Sequence, residues 1–247
     1  MSNPVLSENA FRKAITDHNQ KTMTLNGAIF KTFVLLAIFI LTAMVVTSKM
    51  DMYLMEEIFT SKKYLLYGTL IVTIIIAFII SFKPNTAPIL APVYAIIEAI
   101  PVTLLSLMMN SMYEGIVAQA VTCTVLVLFV MLVLYRTRII KVTDKFKSVV
   151  ISALLTISIF YLAMFIMSIF GIRLDLFYGN SLLSIGINAV IIVVAAFSLI
   201  LDFNFIEQGV AQEAPQYMEW YGAFGLLVTL VWLYIEFLRI LSKIKSR

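Results

Sequence analysis

Four carboxylates stand where an apolar sequence would be expected to carry none. Asp202 closes one apolar run, Glu219 opens the next, Glu236 lies near the end of that run, and Glu98 sits near the middle of an earlier one. A charge at the centre of a bilayer costs roughly 2.5–3.5 kcal/mol on insertion scales, so acids in such places are usually kept for a purpose. The chemistry open to them is narrow. A carboxylate can hold a proton, pair with a cation, or offer hard oxygen ligands to an ion such as calcium. Two carboxylates held close together cannot both ionise easily, so they share a proton.

Each acid also has a plain structural reading. Glu236 and Arg239 are three residues apart and can pair along one helix. Glu219 falls in the first turn of its helix, where the dipole favours an acid. Asp202 reads as the last residue of its helix, followed by a polar loop over 202–216 that holds Glu207 and Glu213. A carboxylate at a helix C-terminus opposes the dipole and wants a cation or a proton. Glu98 has Pro101 three residues on, which frees the Ile97 carbonyl, and Tyr94 one turn back as a hydrogen-bond partner. Between and beyond the acids of the last run, Glu219, Gly222, Gly225, Thr229, Trp232, Glu236 and Lys243 recur at spacings of three, three, four, three, four and seven. That places them on one helical stripe, to be turned toward other helices or a wet cavity. In the preceding run, Ser184, Gly186 and Asn188 add small or polar groups that can pack against a neighbouring helix.

The elements that position these residues are membrane helices. The chain is 62% hydrophobic and only 13% charged, against about 45–50% and 25% for soluble domains. Seven apolar runs approach the ~20 residues needed to cross a hydrocarbon core. They lie near 29–48, 64–82, 89–109, 115–135, 149–170, 182–201 and 217–241. The fold class is therefore an all-α integral membrane protein of seven transmembrane helices. Continuously apolar runs exclude a barrel. A polar arm over 1–28, a membrane domain over 29–241 and a basic tail over 242–247 complete the chain.

Residues 83–88 and 110–114 read as tight turns, and 136–148 as the longest basic loop. With the N-terminus inside, the cytoplasmic side collects ten Lys and Arg residues and the other side eight. The densest cluster is Arg136, Arg138, Lys141, Lys145 and Lys147, so that loop is placed in the cytoplasm. No internal repeat supports an inverted-repeat transporter. Residues 1–27 are polar and the first apolar run is too long for a signal-peptide core, so none is expected.

Other classes are excluded by what is missing. The lone Cys123 lies in an apolar run and His18 in the polar arm, so no disulfide framework or metal cluster is expected. No Ser-His-Asp set, phosphate-binding glycine loop or nucleophile–base pair is present, and the expectation is a non-enzyme. The net charge of +4 is spread over both ends and several loops, which reads as membrane flanking rather than a nucleic-acid footprint.

The stretch LDFNFIEQG at 201–209, followed by YMEWYGAFGLLVTLVWLYIEFLRIL at 217–241, resembles the end of the Bax-inhibitor-motif membrane proteins, in particular their bacterial YccA-like branch. The segments SNPVLSENAFRKA at 2–14, MTLNGAIFKT at 23–32 and APVYAIIEA at 91–99 fit the same branch. The resemblance implies a seven-helix fold with the last helix central, in a bacterial inner membrane. It implies a pH-sensitive calcium leak in which one acid ending helix six and one in helix seven share a proton. LDFN maps the first acid onto Asp202. Letter matching puts the second at Glu236, in LYIEF, whereas matching the distance from Asp202 lands near Thr229. Glu219 is a further stand-in, with Asp202 and Glu219 as the calcium ligands to consider. The family glutamate of helix three maps onto Glu98, followed here by Ala99. Besides the lipid bilayer, the implied partner is calcium as cargo. The rival reading is a modulator that binds a membrane protease or another membrane complex without transporting anything. No resident cofactor is implied.

Overall fold

The computed structural model describes residues 21–50, 57–58, 63–170 and 179–247. His18, the 2–14 segment of the arm, Lys62 and Arg173 lie outside the described residues. Among those described, seven α-helices follow one another: α1 Leu25–Lys49, α2 Lys63–Phe82, α3 Ala87–Met112, α4 Ile116–Arg136, α5 Asp144–Ile169, α6 Leu182–Ala211 and α7 Met218–Lys245. Six are long and apolar enough to cross a membrane, and the apolar part of α2, Tyr67–Phe82, is shorter. The chain is an all-α integral membrane protein. No strand occurs among the described residues, only an isolated antiparallel bridge between Thr22 and Pro215.

Local chemistry sets the helix ends. Thr24 caps α1, its hydroxyl accepting from the Gly27 amide at 3.0 Å. Lys83 and the short 3-10 turn Pro84–Thr86 separate α2 from α3. Gly115, at φ 76°, takes the left-handed conformation that makes the turn into α4 possible. Thr143 Oγ1 accepts from the Phe146 amide at 3.2 Å and Asp144 sits in the first turn, so α5 starts in a capped and dipole-favoured way. Ser181 does the same for α6, accepting from the Ser184 amide at 3.1 Å.

One boundary departs from expectation. Helix α6 does not stop at Asp202 but continues to Ala211, so the polar loop is short and Asp202 lies inside the helix. The stretch after Asp202 contains no proline, and its Phe205 and Ile206 are buried, so an amphipathic helix continues past the apolar run. Its 30 residues span about 45 Å, more than a ~30 Å hydrocarbon core needs. The dipole argument for Asp202 therefore falls away.

The chain divides into two compact units. One comprises Met1–Met108 with Asn204–Val228, the other Met109–Phe203 with Thr229–Arg247. Helices α6 and α7 each contribute to both. In the first unit, Tyr94 packs edge-on against Phe224 at 4.9 Å between ring centroids, and Phe205 lies 5.7 Å from Tyr221. In the second, Ile116, Ala120 and Leu238 form one buried cluster, and Met164 and Ile191 another against which Trp232 and Tyr161 pack.

Burial separates the helices. Of the most apolar stretch of α7, 56% is buried, against 6% for α1. All residues from Tyr221 to Leu227 are buried, on every side of the helix. A helix buried all round belongs inside the protein, so α7 is the central one. The outer helices expose Phe30, Phe33, Phe78, Phe129 and Phe165, as lipid-facing surfaces do.

Close packing of α7 on α6 needs Gly222. A Cβ there would stand 2.8 Å from Ile206 Cγ1, whereas one at Gly186 would meet nothing within 4 Å. The expectation that Gly186 serves helix packing is thus not met. Gly222→Leu is expected to lose about 1–3 kcal/mol to overpacking, while Gly186→Leu stays close to wild type. Unfolding midpoints in detergent would show this, and equal tolerance at both sites would mean that the buried face is wrongly placed.

Candidate functional site

Three polar stations occupy the last two helices, and a fourth lies on α3. The first is Asp202 on α6, only 2% exposed. The Thr229 side chain of α7 is hydrogen-bonded to its carboxylate, and Thr229 is itself buried. The second carboxylate oxygen, Oδ2, is buried and has no hydrogen-bond partner among the described residues. Ser198, one turn earlier, donates to Ala195 O of its own helix at 2.7 Å and does not serve the acid. The α7 residue that meets Asp202 is thus a threonine, the one that distance matching selected.

The second station is Glu236, fully buried. It accepts from Tyr161 OH of α5 at 2.5 Å, from Asn188 Nδ2 of α6 at 3.0 Å, and from Arg239 of its own helix at 3.0 and 3.3 Å. Arg239 also donates to Tyr161 OH at 2.8 Å, and its guanidinium lies 5.4 Å from the Tyr161 ring centre. Lys243 Nζ reaches Ser184 Oγ at 2.6 Å and Asn188 Oδ1 at 2.5 Å. Asn188 thus bridges the acid and the lysine with its two ends. This is a dense charge-assisted network joining α5, α6 and α7. It engages both oxygens of Glu236.

The third station is Glu219, 2% exposed, in the first turn of α7. Its Oε1 accepts from the Thr24 amide at 2.8 Å and the Thr24 hydroxyl at 3.0 Å. Its Oε2 is ion-paired with Lys31 of α1. Lys31 also lies 5.6 Å from the Trp220 ring centre. Both oxygens are committed, so Glu219 has a partner set of its own rather than a bare ligand face.

Glu98 of α3 is half-buried. The Thr73 side chain of α2 is hydrogen-bonded to it, while the Thr73 hydroxyl donates to Leu70 O at 2.9 Å. A Glu98 that carries a proton can donate to that hydroxyl. Tyr94, considered from sequence as its partner, packs its ring edge-on against Phe224 and lies within electrostatic reach of Glu98. Along the α7 stripe, Gly222, Gly225, Thr229, Glu236 and Lys243 are all buried, and Trp232 is half-buried against the Met164–Ile191 cluster. Among the described residues, no three His, Cys, Asp or Glu side chains gather as a metal site.

The sequence model of the family described as Bax inhibitor 1 like matches residues 3–246. The chain belongs to the Bax inhibitor 1 like family. No curated protein and no solved structure matches it. Within this family member, Tyr161, Lys31, Thr24 and Thr73 are the site residues that sequence reasoning passed over. Thr24 carried a usable signal, since a threonine ahead of an apolar helix is an N-cap pattern. Tyr161 carried none, being one aromatic among many on α5.

Proposed function

We propose that this chain is a slow cation leak of the Bax-inhibitor type, carrying calcium when Asp202 is ionised and closed when Asp202 binds a proton. The observation behind the reading is a buried carboxylate that has Thr229 as a side-chain hydrogen-bond partner and whose Oδ2 has none among the described residues. A buried carboxylate is stable only when donors, a cation or a proton compensate it. Thr229 supplies one donor. The open oxygen is available to a proton or to a cation with a taste for hard oxygens. The two compete, and that competition makes a leak sensitive to pH. Falling pH fills the site with protons and lowers flux; rising pH frees it and raises flux.

The proposed role is not enzymatic. The membrane is the bacterial inner membrane, with the N-terminus and the basic loop between α4 and α5 in the cytoplasm. The density of Arg136, Arg138, Lys141, Lys145 and Lys147 supports that orientation.

The test is calcium flux into dye-loaded liposomes between about pH 5 and 8, a window in which general acid–base groups tuned near neutrality titrate. Wild-type flux is expected to rise with pH. Asp202→Asn keeps the shape of the protonated acid, so its flux should be low and nearly flat with pH. A wild-type profile in that variant would place the gate elsewhere. Absence of flux from the wild-type protein at every pH would remove the transport reading and leave the modulator of a membrane protease standing.

A further inference from the structure

The start of the described chain is fastened to the start of the central helix. Residues 21–24 run antiparallel to the turn between α6 and α7. Thr22 bridges Pro215, the Met23 amide donates to Ala214 O at 2.6 Å, and the Gln216 amide donates to Lys21 O at 2.8 Å. Met23 is 2% exposed. Glu219 closes this arrangement. It takes the Thr24 amide and hydroxyl on one oxygen and Lys31 on the other. In doing so it sits over the first turn of α1, where Thr24 already holds the Gly27 amide.

Space on the α1 side confirms how closely the acid is held. A Cβ built on Gly27 would collide with the Glu219 carboxylate. A side chain at that position would oblige the carboxylate to shift. The same carboxylate therefore does three things: it satisfies the Thr24 amide, it neutralises Lys31, and it fills the space above Gly27.

We infer that residues 21–24 are a latch on the α6–α7 turn, with Glu219 as its catch, and that releasing the catch frees the turn and increases leak. The flux part of this rests on the leak proposed above; the latch itself does not. The segment is short and mostly exposed. Thr22 and Thr24 lie at the surface, and two backbone hydrogen bonds with one acid hold the strap. Exposed segments held by few hydrogen bonds are the ones that open locally. The turn they hold joins the helix of Asp202 to the helix of Thr229.

Gly27→Ala discriminates this from simple packing. Alanine is favoured over glycine inside a helix, so helix propensity alone predicts a tighter α1. The latch predicts the opposite, because the added methyl expels the catch. The experiment uses the full chain in liposomes, with amide exchange and calcium flux read on the same samples. In Glu219→Gln and in Gly27→Ala, exchange at the Met23 and Gln216 amides is expected to rise by about tenfold or more, as for eased local opening. Flux at neutral pH is expected to rise severalfold. A Thr22→Cys, Pro215→Cys pair, in a Cys123→Ser background, places two cysteines on an antiparallel bridge whose spacing suits a disulfide. Oxidising that pair in the Glu219→Gln protein should return exchange and flux toward the unmutated level, which a misfolded variant would not do. Unchanged exchange in both single variants would overturn the latch. Raised exchange without raised flux, in a wild-type protein that does leak, would overturn its control of the leak. A wild-type protein that carries no calcium would sink the transport reading alone, because exchange still reports the latch.

Discussion

Glu236→Leu is expected to cost about 3–5 kcal/mol of stability, the range found when one member of a buried ion pair is removed. Glu236 is fully buried and takes hydrogen bonds from Tyr161, Asn188 and Arg239. Its carboxylate is the negative member of a set that also holds Arg239 and Lys243. Deleting it strips negative charge from a low-dielectric site that keeps its cations, and it deprives donors on three helices of their shared acceptor. Glu236→Gln keeps the shape and part of the hydrogen bonding, so it should fall between leucine and wild type. Unfolding in detergent would report both. The comparison that separates charge from packing is the triple change Glu236→Leu, Arg239→Leu, Lys243→Leu. Replacing an ionic set by apolar residues is often neutral, so the triple variant should recover part of the loss, the remainder reflecting buried Asn188 and Ser184 left without their charged partners. Non-additivity of that kind marks residues acting as one unit. Leucine at 236 alone with wild-type stability would mean that the network contributes little and that Glu236 is available for other work.

That network also explains what the sequence could and could not disclose. The seven helices fall within a few residues of the apolar runs, except at the ends of α5, α6 and α7, because a lipid environment forces continuous apolar helices and leaves few alternatives. The end of α6 departs from its apolar run for the same reason. Polar residues after Asp202 mark the edge of the hydrocarbon core, but a helix can go on past it into the headgroup region, and this one continues to Ala211. The i,i+3 pairing of Glu236 with Arg239 was readable from spacing and is present at 3.0 Å. The partners contributed by other helices were not. Tyr161 and Asn188 lie 75 and 48 residues from Glu236 in sequence, and Lys31 lies 188 from Glu219. Single polar groups at such separations leave no periodic trace. The partner of Asp202 was legible by register and hidden by letters: counting along α7 reaches Thr229, whereas LYIEF draws the eye to Glu236.

That register makes Thr229→Asp the most informative change to the proposed gate. It would place a second carboxylate opposite Asp202, restoring the two-acid arrangement that the resemblance to Bax-inhibitor proteins implies. Two adjacent buried carboxylates bind protons as a pair, in two coupled steps, because the first proton relieves their mutual repulsion. The proton-blocked state should therefore persist to higher pH. The midpoint of calcium flux is expected to move upward by about one pH unit or more, where one unit corresponds to ~1.4 kcal/mol of differential interaction. Above that midpoint, two ionised carboxylates offer a calcium ion more hard oxygens than an acid and a hydroxyl do. Calcium should then bind more tightly and block a competing monovalent flux at lower concentration. Thr229→Val tests the opposite effect on calcium. It removes the hydroxyl that hydrogen-bonds Asp202, so the ionised acid loses its donor: the flux midpoint should again move upward, but calcium block should weaken rather than strengthen. Liposome flux across the same pH range, with calcium and potassium compared, separates these outcomes. If Thr229→Asp leaves both midpoint and calcium block unchanged, Asp202 and residue 229 do not form the gate, however closely they sit.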